Sequence, residues 1–328
     1  MLKIIFMGTP DFARDSLKAI YEEGYEILTV ITVPDKPKGR GMNLVPCEVK
    51  EFALKKGLEI EQPNKLKGND EIIEKIKQMN PDVICVVAYG RILPKEILDI
   101  PKLGCINVHP SLLPKYRGSA PIQWAILNGD KKTGVTTMYI NEEMDAGDII
   151  LQEEVIIDVN ETSGELWDRL SKLGAKLLVE TLKQIEEGVA PRRKQENNFT
   201  IAPMLDKSIC KINWEEKNAK EIKNLVRGLN PIMGAYSTLN GKKIKFWKVD
   251  TITTENFISK YPEFKGYEYR FHEIEPGTIL YIDRKEGIYI MTKEGILLVL
   301  EIQGENAKRM STPEFLRGNK IEVVDKFE

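Results

Sequence analysis

The chain has 328 residues, 42% of them hydrophobic and 30% charged, with a net charge of −2. This composition points to a soluble globular protein of two domains with a substantial core. It excludes a helical membrane protein, because no apolar run approaches the roughly 20 residues a spanning helix needs. The near-neutral charge alone announces no nucleic-acid partner. Four scattered cysteines and two histidines provide no metal-ligand cluster. No metal and a reduced, cytoplasmic setting are therefore expected. The opening Leu2-Lys3-Ile4-Ile5-Phe6-Met7-Gly8 is too short for a secretory leader and reads as a buried strand.

In chain order, strands are predicted over 3–7 and 27–33, with a helix over 11–23 between them. Helical patterns follow at 48–56 and 70–79. Residues 83–88 form a continuous apolar run after Asn80-Pro81, as fits a strand buried on both faces. A further strand covers 105–109 and a helix 121–128. Strands alternating with helices imply an α/β fold with a doubly wound, mainly parallel sheet. Ligands of such sheets sit at the carboxyl ends of the strands. Gly8, Tyr89-Gly90 and His109 fall at three such ends. Residues 135–140 and 149–156 read as a hairpin around Asp145, and a long helix follows from 164 to 187.

A catalytic domain over 1–190 and a linker over 191–206, partly laid over that domain, are expected. The C-terminal domain is expected over 207–328. It contains one helix (218–229), then short strands at 235–239, 243–249, 277–283, 287–292 and 296–303. Asn240-Gly241 marks a hairpin. One helix with several short strands suggests a small β-barrel.

The chemistry concentrates in Asn107-Val108-His109-Pro110-Ser111-Leu112-Leu113-Pro114-Lys115-Tyr116-Arg117-Gly118 and in Met144-Asp145-Ala146-Gly147-Asp148. Asn107 and His109 stand at i and i+2, on one face of a strand. The prolines keep the following loop out of helix and sheet. Asn107 either caps the loop or donates to a developing oxyanion. His109 can take a proton from an attacking amine. Asp145 is either a turn residue or, facing His109, the group that fixes the imidazole tautomer. Amide, imidazole and carboxylate together meet the needs of acyl-type transfer to an amine. Gly8-Thr9-Pro10 is not a dinucleotide fingerprint and reads as a strand-to-helix turn. Pro34-Asp35-Lys36-Pro37-Lys38-Gly39-Arg40-Gly41 is a basic loop, either solvated or ordering on a phosphate backbone. Residues 206–328 carry 21 basic and 19 acidic residues, with Lys242, Lys243, Lys245 and Lys248 clustered. That cluster is either a solvated face or the basic face of a nucleic-acid platform.

The segment from Asn107 to Pro114 with Asp145 resembles the active site of the 10-formyltetrahydrofolate-dependent formyltransferase family. Phe6-Met7-Gly8-Thr9-Pro10-Asp11-Phe12-Ala13, the 34–41 loop and Arg227-Gly228-Leu229-Asn230-Pro231 resemble its methionyl-tRNA formyltransferase branch in particular. So do Gly234-Ala235-Tyr236 and the closing Lys308-Arg309-Met310-Ser311. Two stretches depart from the family pattern, Lys207-Ser208-Ile209-Cys210 and Ile232-Met233, both away from the catalytic segment. The resemblance implies a Rossmann-like catalytic domain and a C-terminal OB-like barrel that holds tRNA. It implies formyl transfer from 10-formyltetrahydrofolate to the α-amino group of methionyl initiator tRNA in translation initiation, by a monomer. Asn107, His109 and Asp145 match the family's catalytic trio. Ser111, Leu112, Leu113 and Pro114 match its folate loop, and Tyr89-Gly90 a stretch whose backbone lines the pterin pocket. The loop bearing Lys36, Lys38 and Arg40 matches an acceptor-stem contact, and Lys242 and Lys243 belong to the domain that would hold tRNA. Competing expectations are a sugar-nucleotide formyltransferase, a folate-dependent hydrolase and a non-catalytic tRNA-binding protein.

Overall fold

The computed structural model describes residues 1–38 and 43–328. The chain forms two compact units, one of Met1–Ile122, Lys132–Ile156 and Glu165–Pro203, the other of Gln123–Lys131, Ile157–Gly164 and Met204–Glu328. From the amino end the elements are β1 (Lys3–Gly8), α1 (Asp11–Glu22), β2 (Glu26–Ile31), β3 (Lys36–Lys38), β4 (Asn43–Val45), α2 (Glu48–Lys56), β5 (Ile60–Glu61) and α3 (Asp70–Met79). They continue with β6 (Val83–Val87), α4 (Lys95–Leu98), β7 (Cys105–His109), α5 (Pro121–Leu127), β8 (Lys132–Tyr139), β9 (Ile149–Ile156) and α6 (Ser163–Glu186).

Seven strands of the first unit form one sheet in the order β5-β2-β1-β6-β7-β8-β9. The pairs from β5 to β7 are parallel, and β8 and β9 are added antiparallel. All five residues of β6 are buried, which accounts for its unbroken apolar sequence. Helix α3 is amphipathic and turns Ile72, Ile73 and Ile76 inward, against a core that includes Ile5, Met7, Ile84 and Val86. Its ends follow local rules: the Asn69 side chain accepts from Ile72 N, and Asn80 closes it with a positive φ just before Pro81. The chain runs from β1 outward to β2 and β5, then returns to β6 on the other side of β1. The order therefore reverses between β1 and β6, where doubly wound sheets open their ligand crevice. The basic loop at 34–41 is not wholly irregular: β3 pairs with β4 as an antiparallel ribbon, Lys36 opposite Val45. Arg40 lies outside the described residues.

The second unit contains α7 (Ala219–Gly228), β10 (Ala235–Leu239), β11 (Lys242–Ile252), α8 (Thr254–Lys260), β12 (Ile279–Asp283), β13 (Gly287–Met291), β14 (Ile296–Gly304), β15 (Met310–Ser311) and α9 (Thr312–Gly318). Its strands pair antiparallel in the order β10-β11-β14-β13-β12, with β15 on β14. The register of β11 against β14 shifts around Lys248, an irregularity that bends long strands. Trp214, Phe246 and Phe327 pack together at the centre of the unit's main core. A second cluster gathers Phe257, Tyr261, Phe264, Phe271, Tyr281 and Tyr289. The expectation of a single helix here is corrected by α8 and α9. Helix α9 carries a capping box from Ser311 and Glu314 with Pro313 in its first turn, a local signal that a seven-residue helix makes easy to overlook.

Arg227-Gly228-Leu229-Asn230-Pro231 is a packing device. The buried Arg227 guanidinium donates to the carbonyls of Asp158 (3.3 Å) and Glu161 (3.2 Å), and through Nε to Asn224 Oδ1 (3.0 Å). Burial lowers its pKa. Asn230 Nδ2 donates to Trp247 O at 2.9 Å, and Asn230 O accepts from Ser163 Oγ at 2.7 Å.

Candidate active site

Strands β1, β6 and β7 are neighbours in register, Gly8 opposite Val87 and Val86 opposite Asn107. The three strand ends named from sequence therefore lie side by side. After β6 the backbone turns through positive φ at Ala88 (+43°) and Gly90 (+81°). This exposes both residues and sends the Tyr89 ring into the core. The Tyr89 hydroxyl is buried without a hydrogen-bond partner, and burial raises its pKa. Thr9 Oγ1 donates to Tyr89 O at 3.1 Å, joining the ends of β1 and β6.

Asn107 and His109 share one face of β7. The His109 ring is 4% exposed. Its Nε2 lies 2.8 Å from Tyr116 O. A carbonyl only accepts, so Nε2 carries hydrogen and, in the neutral ring, Nδ1 is the acceptor nitrogen. Nδ1 faces Asp145 Oδ2 at 3.6 Å, too far for a hydrogen bond but close enough for an imidazolium to be balanced by charge. Tyr116 thus fixes the tautomer, where Asp145 was the expected group. The Asp145 carboxylate takes its firm hydrogen bond from Gly118 N, 2.8 Å from Oδ2. Asn107 Nδ2 lies 3.5 Å from Oδ1. The amide, imidazole and carboxylate are therefore in mutual reach around one crevice.

The backbone is contorted where these groups are held. Tyr116 (+65°), Gly118 (+121°) and Asp145 (+51°) all have positive φ. Such conformations persist at sites where surrounding contacts over-determine them. Gly147 is required by close approach: a Cβ there would lie 1.7 Å from Tyr139 O.

In the loop after β7, Ser111 and Leu113 turn inward. Ser111 Oγ donates to Lys115 O (2.6 Å), and Leu113 packs with Met138 and Ile149. Thr136 Oγ1 donates to Ser111 O (2.7 Å), and Gln152 Nε2 donates to Leu113 O (2.8 Å). Leu112 and Pro114 stay partly exposed. The loop's shape is thus fixed from beneath while its rim remains open to a ligand.

The linker expected to lie partly over the first domain does so up to Pro203, but sequence reading missed that it buttresses this site. Arg193 pairs with Ile149, and Ile201 with Arg117, through isolated bridges. Thr200 Oγ1 accepts from Tyr116 N at 2.8 Å. Gln195 Nε2 donates to Asp145 O and Gly147 O, both at 2.8 Å. The polar, Pro-containing composition of 189–206 gives no periodic signal; only the tertiary contacts reveal the role.

The expected tRNA-contacting residues are elsewhere. Lys36 is exposed at the start of β3, while the Lys38 side chain and Arg40 lie outside the described residues. Lys242 and Lys243 are exposed on β11, and Lys243 Nζ sits 3.5 Å from the Tyr236 ring centroid. Lys245 Nζ donates to Met233 O, and Arg309 lies over the Trp247 ring. Among the described residues no group of three or more His, Cys, Asp and Glu side chains is arranged to hold a metal ion. No described helix is long and apolar enough to cross a membrane.

Residues 2–182 match the formyl transferase family, and residues 204–320 match the formyl transferase C-terminal domain. The chain is 50% identical to the methionyl-tRNA formyltransferase of Clostridioides difficile, over 98% of each chain. It is 45% identical to that of Acetivibrio thermocellus, over 98% of this chain and 97% of the relative. The fold also matches a Helicobacter canadensis N-formyltransferase solved with folinic acid and dTDP-3-aminofucose, with TM-score 0.66, 21% identity and coverage of 93% and 100%. Aquifex aeolicus HypX, solved with tetrahydrofolic acid, matches with TM-score 0.63 and 19% identity, over 100% of this chain and 50% of HypX. The two family matches, which together span most of the chain, and the near-full-length identity agree: the chain belongs to the formyl transferase family, among its methionyl-tRNA formyltransferases.

Proposed function

We propose that Asn107, His109 and Asp145 carry the transfer of the formyl group of 10-formyltetrahydrofolate to the α-amino group of methionine on initiator tRNA. The observation that carries this reading is the convergence, at the carboxyl end of β7, of an amide donor, a buried imidazole whose Nδ1 faces a carboxylate, and that carboxylate. The uncharged amine attacks the formyl carbon, and Asn107 Nδ2 donates to the oxygen as it gains charge. His109 Nδ1 takes the proton the amine loses and returns it to the departing folate nitrogen, directly or through a water. Asp145 balances the imidazolium while it exists. Loss of an oxyanion donor of this kind costs about 3–4 kcal/mol of barrier.

The exposed rim formed by Leu112, Pro114, Ala88 and Gly90 is where the folate ring system would lie. Ser111 and Leu113 act beneath it by shaping the loop, and the Tyr89 backbone continues the rim. The catalytic domain is assigned to 1–190 with the 191–206 linker laid over it as far as Pro203, and the tRNA-holding domain to 207–328. We read the C-terminal sheet as an OB-like barrel, on the strength of its antiparallel strands and the register shifts in β11. Lys36, Lys38, Arg40, Lys242 and Lys243 are assigned to phosphate contacts, and the protein to the cytoplasm as a monomer. The deciding assay follows formyl transfer from 10-formyltetrahydrofolate to charged initiator tRNA, charged elongator tRNA and no acceptor. Formylation of the initiator establishes the reading. Folate turnover without a tRNA product moves the acceptor to a sugar nucleotide or to water.

A further inference from the structure

We infer that Gln195, in the segment that follows the catalytic fold, is a positioning residue for the formyl-transfer site and acts through Asp145. The inference rests on the proposed reaction, and it assigns that reaction a residue outside the motifs singled out in the sequence.

One side-chain amide saturates both of its ends at the site. Its Nε2 donates to the carbonyls of Asp145 and Gly147, so both hydrogens clamp the turn that carries the carboxylate. Its Oε1 accepts from Arg117 Nε (3.0 Å) and Nη2 (2.8 Å). Arg117 can only donate, so it dictates which way the amide faces and aims the NH₂ at the turn. Arg117 is itself held, its guanidinium stacked on Phe199 at 4.5 Å and its backbone bonded to Thr200 and Ala202. The next residue, Gly118, gives its N–H to the Asp145 carboxylate. Gln195 therefore ties the backbone of Asp145 to the loop that supplies the carboxylate's own hydrogen bond.

Asp145 needs this clamp. It sits at φ +51°, in the left-handed region that aspartate enters more readily than most residues but that still costs free energy without support from its surroundings. The carboxylate stands 3.6 Å from His109 Nδ1, at a distance where small displacements change how well it balances a transient charge. The same segment fixes the other face of the imidazole, because Thr200 holds Tyr116, whose carbonyl sets the tautomer.

The test compares Gln195→Ala and Gln195→Glu with the wild type in the full-length protein, assayed with charged initiator tRNA and 10-formyltetrahydrofolate. Wild-type formylation is measured first, so failure of the proposed reaction is distinguished from failure of this inference. Gln195→Ala is expected to lower kcat about 10- to 100-fold, as displaced supporting groups do, with KM for tRNA and folate within about twofold. Gln195→Glu keeps the size and the acceptor for Arg117 but sets a carboxylate oxygen against two carbonyls, so it is expected to lose at least as much. In an Asp145→Asn background, Gln195→Ala is expected to cost less than about threefold more, because the group it positions is already disabled. Full kcat in Gln195→Ala, a change confined to KM, or an undiminished loss in the Asp145→Asn background would each overturn the inference. If Gln195→Ala does not fold, Arg117→Ala carries the test, since it leaves the amide present but unaimed: a smaller kcat loss with unchanged KM is expected, and wild-type kcat overturns the inference.

Discussion

Gly118 is the position where one methyl group should disable the site. Its φ of +121° is open to glycine and costly to any other residue, about 1–3 kcal/mol for alanine. A Cβ there would stand 2.7 Å from Ala202 O and 3.2 Å from Ala202 C. Ordinary carbon–oxygen contact begins near 3.3 Å, so something must yield by about 0.6 Å. The Ala202 side is not free to move, because its N–H donates to Arg117 O at 2.7 Å and its carbonyl accepts from Ala120 N at 3.2 Å. The displacement therefore falls on Gly118, whose N–H is bonded to Asp145 Oδ2 at 2.8 Å. A shift of that size breaks this hydrogen bond to a charged acceptor, worth about 1.5–3 kcal/mol. Gly118→Ala should lose about 2–4 kcal/mol of stability, read as a Tm lowered by roughly 2–4 °C per kcal/mol. Its kcat should fall on the order of 10- to 100-fold, since misplacement by about 1 Å costs about 10²-fold. Thermal unfolding and steady-state formyl transfer measure the two effects. A variant with unchanged Tm and kcat within threefold of wild type would refute the argument that this backbone holds Asp145.

Three further outcomes are expected. His109→Ala should lose about 10²- to 10⁴-fold in kcat through loss of general acid–base catalysis while keeping its circular dichroism spectrum; wild-type turnover would remove His109 from the mechanism. Arg227→Met should leave the carbonyls of Asp158 and Glu161 and the Asn224 side chain without their donor, lowering stability by about 2–4 kcal/mol in denaturant titrations. An unchanged midpoint would show that water replaces the guanidinium. Lys243→Ala should raise KM for charged tRNA and reduce the salt slope of binding by about 1, with kcat unchanged. An identical slope would place Lys243 off the phosphate path.

The main elements of the first unit were legible because their signals are local. Helices α2 and α3 carry their own periodicity and end signals, and β6 announces itself as an apolar run after Asn80-Pro81. The i, i+2 spacing of Asn107 and His109 on a strand was enough to put both on one face. Several short elements were not legible: β3 and β4 span three residues each, too few for a period to emerge, and the seven-residue helices α8 and α9 were missed although α5, of equal length, was found.

What the sequence by itself determined was which side chains are chemically equipped for such a site and which strands deliver them, because side-chain type and strand periodicity are properties of adjacent residues. What only the tertiary structure decided was how those groups are held. Tyr116 O as the partner of His109 requires a backbone reversal at positive φ that no residue type announces. The clamps from Gln195 and Thr200 reach back 50 and 84 residues to Asp145 and Tyr116. Contacts that distant depend on the closed chain path, so a segment that reads locally as a polar linker becomes part of the candidate active site once the fold brings it there.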